Sequence, residues 1–297
     1  MKNRAAVFDG WAKSPGTSEA QRCANAESVV RNAIGASADL SGRDIRIFSQ
    51  GSYRNKTNVR ADSDVDICVC CTDTFFYDLT SGATVEGVGI REAQYEYSEF
   101  KDAIEAALKD YLGAGSVRRG NKAIDVRATS YHVDLDVVAA FEYRRYVSNS
   151  VDGFISGTEL RPDSGGRIQN WPQQHYENGV SKTKATSYRF KKVVRILKSL
   201  RNQMADDRVG AAEVVPSYLL ECLCWNVPDR LFGADSLEVI VEAALVHLHE
   251  SIVDVQTCDE WGEVNELKYL FRASQPWTVD QARAFVAAAW RYAGYGA

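Results

Sequence analysis

The sequence predicts an α+β protein with a lobe of mixed strands and helices at residues 1–165 and a purely helical lobe at residues 166–297. Short strand-like apolar segments are found up to residue 141. Long segments with apolar residues at helical spacing dominate after residue 172. Between them, residues 150–169 contain several Gly and Asp residues and are typical of a hairpin.

The elements follow from their periodicity. Residues 44–50 alternate apolar and polar side chains, as a half-buried strand does, whereas Phe100, Ile104 and Leu108 have the spacing of one helix face. In the first lobe we predict helices at 18–34 and 92–112 and strands at 44–50, 65–71, 116–119, 123–128 and 131–141. In the second lobe we predict helices at 183–204, 214–226, 236–252 and 279–293.

The composition restricts the function. Hydrophobic residues make up 45% and charged residues 25% of the 297 residues, as in ordinary globular proteins, and no apolar run is long enough to span a membrane. The net charge of -5 favours a small-molecule substrate over a polynucleotide. The seven cysteines lie within apolar patterns and are expected to be buried free thiols, which indicates a reducing cytoplasm.

Two aspartates stand at the start of the predicted strand 65–71. Asp64 and Asp66 are two positions apart, so in a strand their carboxylates point to the same face and repel each other. A hard cation such as Mg²⁺ would offset this repulsion.

A second acidic strand follows about seventy residues later. In His132-Val-Asp-Leu-Asp-Val-Val, Asp134 and Asp136 share one face. A third carboxylate from this strand, placed beside Asp64 and Asp66, would complete a two-metal site with ions roughly 3.5–4 Å apart.

Before the first acidic pair lies a turn, Gln50-Gly51-Ser52. If this turn opens a short helix, its backbone N–H groups and the Ser52 hydroxyl can hold a phosphate.

These motifs together carry a family resemblance. Gly51-Ser52, Asp64-x-Asp66 and Asp136 resemble the polymerase-β-like nucleotidyltransferase superfamily. The strings QGSYRNKTNVRADSDVDI and HVDLDVVAAF resemble more closely the bacterial cGAS/DncV-like nucleotidyltransferases, in particular the CdnE clade. The resemblance extends over residues 45–230. It implies a polymerase-β-like core with an active site in the cleft between the two lobes.

The resemblance also implies roles for individual residues. Asp64, Asp66 and Asp136 would be catalytic and would hold two Mg²⁺ ions, for which Mn²⁺ can substitute. Gly51 and Ser52 would hold the donor triphosphate.

Further nucleotide-binding residues are implied outside the turn. Lys198 and Ser217 would contact the phosphates, and Tyr218 would stack on the donor base, for which a tyrosine face is suited. Gln50 would contact the substrate. Asn170 falls where relatives read the acceptor base, and an asparagine there resembles the pattern associated with pyrimidine use.

Each assignment in the helical lobe has a structural alternative. Lys198 can be a solvated helix residue, Tyr218 a core residue and Ser217 a helix N-cap. His132 and His175 are expected to be structural, because a metal ion and an aspartate can activate a hydroxyl. The phosphate role is favoured by a basic face on the predicted helix, formed by Lys191, Lys192, Arg195, Lys198 and Arg201.

The function implied is synthesis of a cyclic oligonucleotide, a cyclic dinucleotide in the first instance, from ATP, UTP or other NTPs. In this family the product is a second messenger of bacterial antiphage (CBASS) defence that activates an effector protein. We expect a cytoplasmic monomer that contacts neither membrane nor nucleic acid. The alternatives are a superfamily transferase that modifies RNA ends, a small molecule or a protein, and a non-catalytic nucleotide-binding module, which retention of all three carboxylates disfavours.

Overall fold

The computed structural model describes residues 3–14, 16–59, 64–80, 82–253 and 255–296. Within these ranges the chain divides into two compact units. We call them the sheet unit, residues 16–54 and 64–172, and the helical unit, residues 3–14, 55–59 and 173–296.

This division differs from the predicted boundary at residue 165. The sheet continues to Asn170, because the segment expected to form a hairpin contributes two strands to it. At the other end of the chain, an unpredicted helix α1 (Arg4–Trp11) belongs to the helical unit, where Phe8 is fully buried in the core. Its single buried aromatic is too weak a periodic signal to reveal this packing.

The sheet unit contains a seven-stranded mixed sheet. Its strands occur in the order β1-β2-β5-β4-β3, with β6 paired to β5 and β7 paired to β6. The strands are β1 (Ile45–Ser49), β2 (Val65–Leu79), β3 (Val117–Arg119), β4 (Ile124–Val126), β5 (Leu135–Tyr146), β6 (Phe154–Leu160) and β7 (Ile168–Asn170).

The centre of this sheet is the parallel pair β2 and β5. Their register runs from Val65 opposite Leu135 to Leu79 opposite Tyr146, with an irregularity between Cys71 and Phe75. Central parallel strands are buried on both faces, which explains the apolar run at residues 67–71 of β2. The strand extends well beyond the predicted 65–71, because pairing with β5 resumes after residues 72–74 and continues from Phe75 to Leu79.

The helices of the sheet unit are α2 (Thr17–Gly35), α3 (Gly51–Asn55) and α4 (Tyr97–Leu112). The α4 helix starts later than the predicted residue 92. A capping box between Glu96 and Glu99 satisfies the free backbone N–H groups at that point and fixes the start. Buried Phe100, Ile104 and Leu108 confirm the predicted apolar face.

The helical unit is formed by α1 and by the helices that follow β7. These are α5 (Pro172–Ala185), α6 (Phe190–Asp206), α7 (Gly210–Glu213), α8 (Ser217–Trp225), α9 (Leu237–Val253), α10 (Val255–Cys258) and α11 (Val279–Ala293). Three of the four predicted helices, α8, α9 and α11, agree with the structure to within about three residues.

The predicted helix 183–204 is interrupted in the structure. Ser187 and Tyr188 both adopt left-handed backbone conformations, with φ of 50° and 63°, and end α5. The Thr186 hydroxyl then accepts a hydrogen bond from the Phe190 backbone N–H at 3.0 Å at the start of α6. The apolar periodicity passes through this break without a Gly or Pro, so the sequence does not reveal it.

Two expectations from composition can be compared with the structure. All seven cysteines are buried thiols, as predicted. Among the described helices, none combines the length and apolar character that a membrane-spanning segment needs.

Arg195 of α6 provides a test of how the helical unit is held together. Its guanidinium is buried and donates to the carbonyl oxygens of Ala12, at 2.8 Å from Nε, and of Lys56, at 2.7 Å from Nη1. We expect Arg195→Met to lower the free energy of unfolding by about 2 kcal/mol, because the two buried carbonyls lose a charged donor. Urea denaturation measures this change. Lys192→Met, at an exposed position of the same helix with similar helix propensity, is the control. Equal midpoints for the two variants would contradict the prediction.

Candidate active site

The three predicted catalytic carboxylates lie at the start of the two central parallel strands. Asp66 of β2 is directly opposite Asp136 of β5. The backbone N–H of Val65 donates to the carbonyl of Asp134 at 3.0 Å, which extends the pairing to the residues just before each strand. Asp64 immediately precedes β2. The parallel register therefore brings Asp64, Asp66 and Asp136 together, as the resemblance implied.

These carboxylates repel one another. Burial, together with the charges of Asp136 and Asp64, raises the pKa of Asp66 to about 6. The pKa values of Asp64 and Asp136 are also raised, in both cases first by burial and then by neighbouring aspartates. No cationic side chain is among the causes of these shifts. Within the described residues, the site therefore concentrates negative charge without a cationic side chain that offsets these shifts.

Asp134 and Asp136 have different environments, although both were predicted on one strand face. The Asp134 carboxylate accepts a hydrogen bond from the backbone N–H of Ala128 at 2.6 Å. Asp136 is half-buried, directly opposite Asp66. The local hydrogen bond explains why Asp136 is the better candidate for the third carboxylate.

Sequence reasoning missed a further carboxylate beside this group. Asp125 of β4 is opposite Asp136 in the antiparallel register, and its charge contributes to the raised pKa of both Asp64 and Asp136. It also pairs with Arg118 at 3.2 Å. A lone aspartate in a three-residue strand gives no sequence signal; only the strand register reveals its proximity.

The donor set suits a hard divalent cation, because it offers carboxylate oxygens and uncompensated negative charge. Within the part of the chain that the structure describes, no three His, Cys, Asp or Glu side chains form a ready-made metal cluster. The assignment of Asp64, Asp66 and Asp136 as metal ligands therefore stays a prediction.

The predicted phosphate turn is fastened to the same carboxylates. The Gln50 backbone N–H donates to the carbonyl of Asp66 at 2.8 Å, and Gly51 and Ser52 then open α3. Gly51 has a φ of +64°, and a Cβ atom there would lie 2.2 Å from Oδ2 of Asp66. Only glycine satisfies both this conformation and this close approach. Ser52 is half-buried and Gly51 exposed.

Asn170, the predicted acceptor-base residue, ends β7. Its backbone is paired with Thr158 of β6, and its side chain is half-buried. It is thus fixed on a strand of the sheet rather than on the loop before it. Its role as a base reader is untested.

The remaining candidate residues belong to the helical unit. Pro216 occupies the N-cap position of α8, and the structure shows no side-chain capping bond there. Ser217 is the first residue of the helix and is exposed. The alternative in which Ser217 caps this helix is therefore wrong, and its hydroxyl is available to a ligand.

Tyr218 is half-buried and held at two points. Its hydroxyl donates to Oε2 of Glu263 at 2.9 Å, and its ring stacks on His175 with centroids 5.7 Å apart. Burial and the nearby Cys222 and Glu263 raise its pKa, so the hydroxyl stays protonated.

Lys198 is neither solvated nor part of an exposed basic face. It is 3% exposed, and its Nζ donates to Oε2 of Glu221 at 2.7 Å and to Thr57 Oγ1 at 3.0 Å. Arg195, one turn earlier, is also buried. Of the predicted basic face, Arg195 and Lys198 are therefore buried against polar acceptors inside the unit, whereas Lys192 is exposed.

The two histidines have structural environments. His132 is buried, with its Nδ1 2.7 Å from the carbonyl oxygen of Val133, and His175 Nε2 lies 2.9 Å from Glu221 Oε1. Glu221 and Glu263 were not singled out from the sequence. Glu221 could have been, since it is a lone carboxylate in the apolar run LLECLCW.

Known proteins match this chain both in the helical unit and over almost its whole length. The family model of the cGAS/DncV-like nucleotidyltransferase C-terminal helical domain matches residues 177–294. The cyclic dipyrimidine nucleotide synthase CdnE of Legionella pneumophila is 45% identical over 288 residues, covering 96% of this chain and 96% of that protein. The cyclic dipyrimidine nucleotide synthase CdnE of Cecembia lonarensis is 39% identical over 283 residues, covering 95% of each chain.

A solved structure agrees with these matches. The Rhodothermus marinus CdnE c-UMP-AMP synthase, solved with Apcpp and Upnpp, superposes with a TM-score of 0.86 at 30% identity, covering 99% of this chain and 97% of that one. The fold and the paired aspartates define a nucleotidyltransferase with a polymerase-β-like core. Within that class, the chain belongs to the CdnE clade of the cGAS/DncV-like nucleotidyltransferases.

The raised pKa of Asp66 makes a testable prediction about stability. A carboxyl whose pKa is raised on folding destabilises the folded state once the unfolded chain ionises, so stability falls between about pH 4 and pH 6 and stays lower above. A shift from 3.8 to about 6 corresponds to roughly 2–3 kcal/mol. We therefore expect Asp66→Asn to raise the melting temperature of the metal-free protein near pH 7.5 and to raise it much less near pH 4.

Thermal unfolding in EDTA at the two pH values measures this effect, with Asp110→Asn on the exposed face of α4 as the control. Added magnesium should stabilise the wild type more than Asp66→Asn, because the cation offsets the repulsion only where the carboxylate is present. A lower melting temperature for Asp66→Asn in EDTA near pH 7.5 would show that the carboxylates do not repel as described.

Proposed function

We propose that this protein joins two ribonucleoside triphosphates, at least one of them a pyrimidine nucleotide, into a cyclic dinucleotide. The observation that carries the proposal is the parallel register that sets Asp66 opposite Asp136, with Asp64 adjoining. The pyrimidine preference is supported by the two relatives named as dipyrimidine synthases and by Asn170 at the predicted acceptor position. The product serves as a messenger in antiphage defence and activates an effector protein, and the enzyme acts as a cytoplasmic monomer.

The reaction consists of two transfers. In each, a ribose hydroxyl oxygen forms a bond to the α-phosphorus of a triphosphate, and the bond from that phosphorus to the bridging oxygen of pyrophosphate breaks. The hydroxyl proton passes to one of the site's carboxylates. The first transfer gives a linear dinucleotide that keeps one triphosphate, and the second closes the ring, so two pyrophosphates leave per cyclic product.

The residues have separate roles in this proposal. Asp64, Asp66 and Asp136 would hold two Mg²⁺ ions, which when bound supply charge neutralisation and activation of the attacking hydroxyl. Gly51 and Ser52 hold the donor triphosphate, and Gln50 contacts the substrate. From the helical unit, Lys198 and Ser217 act on the phosphates and Tyr218 stacks on the donor base.

The direct test is product identification. The purified protein is incubated with all four NTPs and magnesium or manganese, treated with phosphatase, and analysed by mass spectrometry. We expect a phosphatase-resistant cyclic dinucleotide containing pyrimidine from the wild type. Asp64→Ala combined with Asp66→Ala should keep the fold but give no product, since two of the three metal ligands are removed.

Two outcomes would contradict the proposal. Product from the double variant at a level near wild type would refute the metal-site assignment. Pyrophosphate release that occurs only when RNA, a protein or another acceptor is added would instead identify a transferase of a different kind.

Base choice is tested at Asn170. Replacing it with Ser shortens the side chain and removes the amide, and a single lost hydrogen bond to a base can change discrimination by about 10-fold or more. We expect Asn170→Ser to shift the product from pyrimidine toward purine nucleotides when the four NTPs compete. The conservative Asn170→Gln variant, which keeps the amide, is the comparison. An unchanged product profile for Asn170→Ser would place the acceptor-base residue elsewhere.

A further inference from the structure

A buried carboxylate in α8 connects four segments of the helical unit. Glu221 is 3% exposed. Its Oε2 accepts from Lys198 Nζ of α6 at 2.7 Å and from the Thr57 hydroxyl at 2.8 Å. Its Oε1 lies 2.9 Å from His175 Nε2 of α5. Lys198 Nζ also donates to Thr57 at 3.0 Å, which closes the network.

Glu221 is charged in this network. Its pKa is lowered from the usual value by the charge of Lys198 and by the hydrogen bond and charge of His175, which together outweigh its burial. When one partner of such a buried ion pair is removed, the other is left as an unpaired buried charge, which destabilises the protein. Removing either one would therefore release the other from its position.

The network reaches the residues predicted to bind nucleotide. Glu221 lies one helical turn after Ser217 and Tyr218 on α8. The His175 ring is hydrogen-bonded to Glu221 through Nε2. The same ring stacks on the Tyr218 ring, with centroids 5.7 Å apart and an interplanar angle of 30°. Glu221 thus holds Lys198 directly and Tyr218 through His175.

We infer that Glu221 is a positioning residue for the donor nucleotide, which sets the Lys198 ammonium and the Tyr218 ring relative to each other. This inference rests on the proposed function, because Lys198 and Tyr218 are nucleotide-binding residues only within it. Glu221 does not contact the substrate. A displacement of about 1 Å in a binding group costs up to about a hundredfold in rate or affinity, so a residue that fixes two such groups has a functional effect.

A second buried lysine in the same unit, paired with a half-exposed carboxylate, provides the control. Lys182 is 9% exposed, and its Nζ donates to Asp229 Oδ1 at 2.7 Å and to the carbonyl of Val227 at 2.8 Å. None of these residues is predicted to bind nucleotide. Loss of this pair should destabilise the unit as a purely structural ion pair does.

The experiment compares Glu221→Gln with Asp229→Asn. Each change removes one carboxylate charge beside a buried lysine and keeps the side-chain shape. The readouts are the Kd for ATP and UTP from equilibrium dialysis with magnesium, and KM and kcat from pyrophosphate release. We expect Glu221→Gln to raise Kd and KM by at least about tenfold with kcat within about threefold of wild type. Asp229→Asn should lower the melting temperature but change Kd and KM by less than about twofold.

The outcomes separate the two levels of the proposal. Equal Kd and KM in the two variants would overturn the positioning role of Glu221 and leave the proposed function intact. A wild-type protein that binds neither ATP nor UTP would overturn the proposed function itself.

A second variant decides the matter if Glu221→Gln does not fold. His175→Gln keeps a hydrogen-bond donor to Glu221 and leaves the Lys198 pair in place, but it removes the ring that stacks on Tyr218. We expect a severalfold rise in the donor KM with kcat little changed. An unchanged KM in a folded His175→Gln protein would overturn the inference.

Discussion

The parallel pairing of β2 with β5 is the constraint on which the candidate site depends. Backbone hydrogen bonds fix the register, and the register alone sets Asp66 opposite Asp136. The side chains oppose this arrangement, since their mutual repulsion and burial raise the pKa of all three catalytic candidates. The buried apolar residues of the same strands, such as Ile67 and Val137, supply the stability that keeps the carboxylates together. The core thus holds in place three carboxylates whose mutual repulsion a bound cation would offset.

The phosphate turn depends on the same strand. Gln50 is hydrogen-bonded to the Asp66 backbone, and the Asp66 carboxylate occupies the space that a Cβ atom at Gly51 would need, so the turn and the carboxylate are packed closely together. A side chain at residue 51 would displace either the turn or the carboxylate. The Gly-Ser pair and the first acidic pair therefore belong to one structural unit, which explains why their combination is more informative than either motif alone.

The features that could be predicted from sequence are those with local periodicity. The alternation of apolar and polar residues identifies β1, and apolar residues at helical spacing identify α4, α9 and α11, because each pattern arises within one element. The Asp64, Asp66 and Asp136 grouping was predictable only through resemblance, since strand register is a long-range property. Asp125 was missed for this reason.

The burial of polar residues is the other property that could not be predicted from the sequence. A solvated Lys198 was an open alternative, and Lys198 and Arg195 were placed on one basic helix face, but a helix sequence does not reveal which polar side chains find acceptors inside the protein. The break at Ser187 and Tyr188 was missed because neither residue type marks a left-handed conformation. Glu221 was a buried polar group with a visible signal, and its partners on α5, on α6 and at Thr57 still required the structure.

Two carboxylate groups, one in each unit, differ in how their charge is compensated. In the sheet unit Asp64, Asp66 and Asp136 have raised pKa values, and under the proposed function a bound cation would offset their repulsion. In the helical unit Glu221 pairs with Lys198 and is hydrogen-bonded to His175, and its pKa is lowered. Under the inference above, alignment of the donor nucleotide through this network would need no ion of its own. If Glu221 acts as inferred, its loss should change nucleotide affinity at every magnesium concentration, whereas loss of Asp66 should change the magnesium dependence itself. The two contributions would then be separable, because Glu221 is paired with a lysine of the chain itself, whereas Asp66 would be balanced by a bound cation.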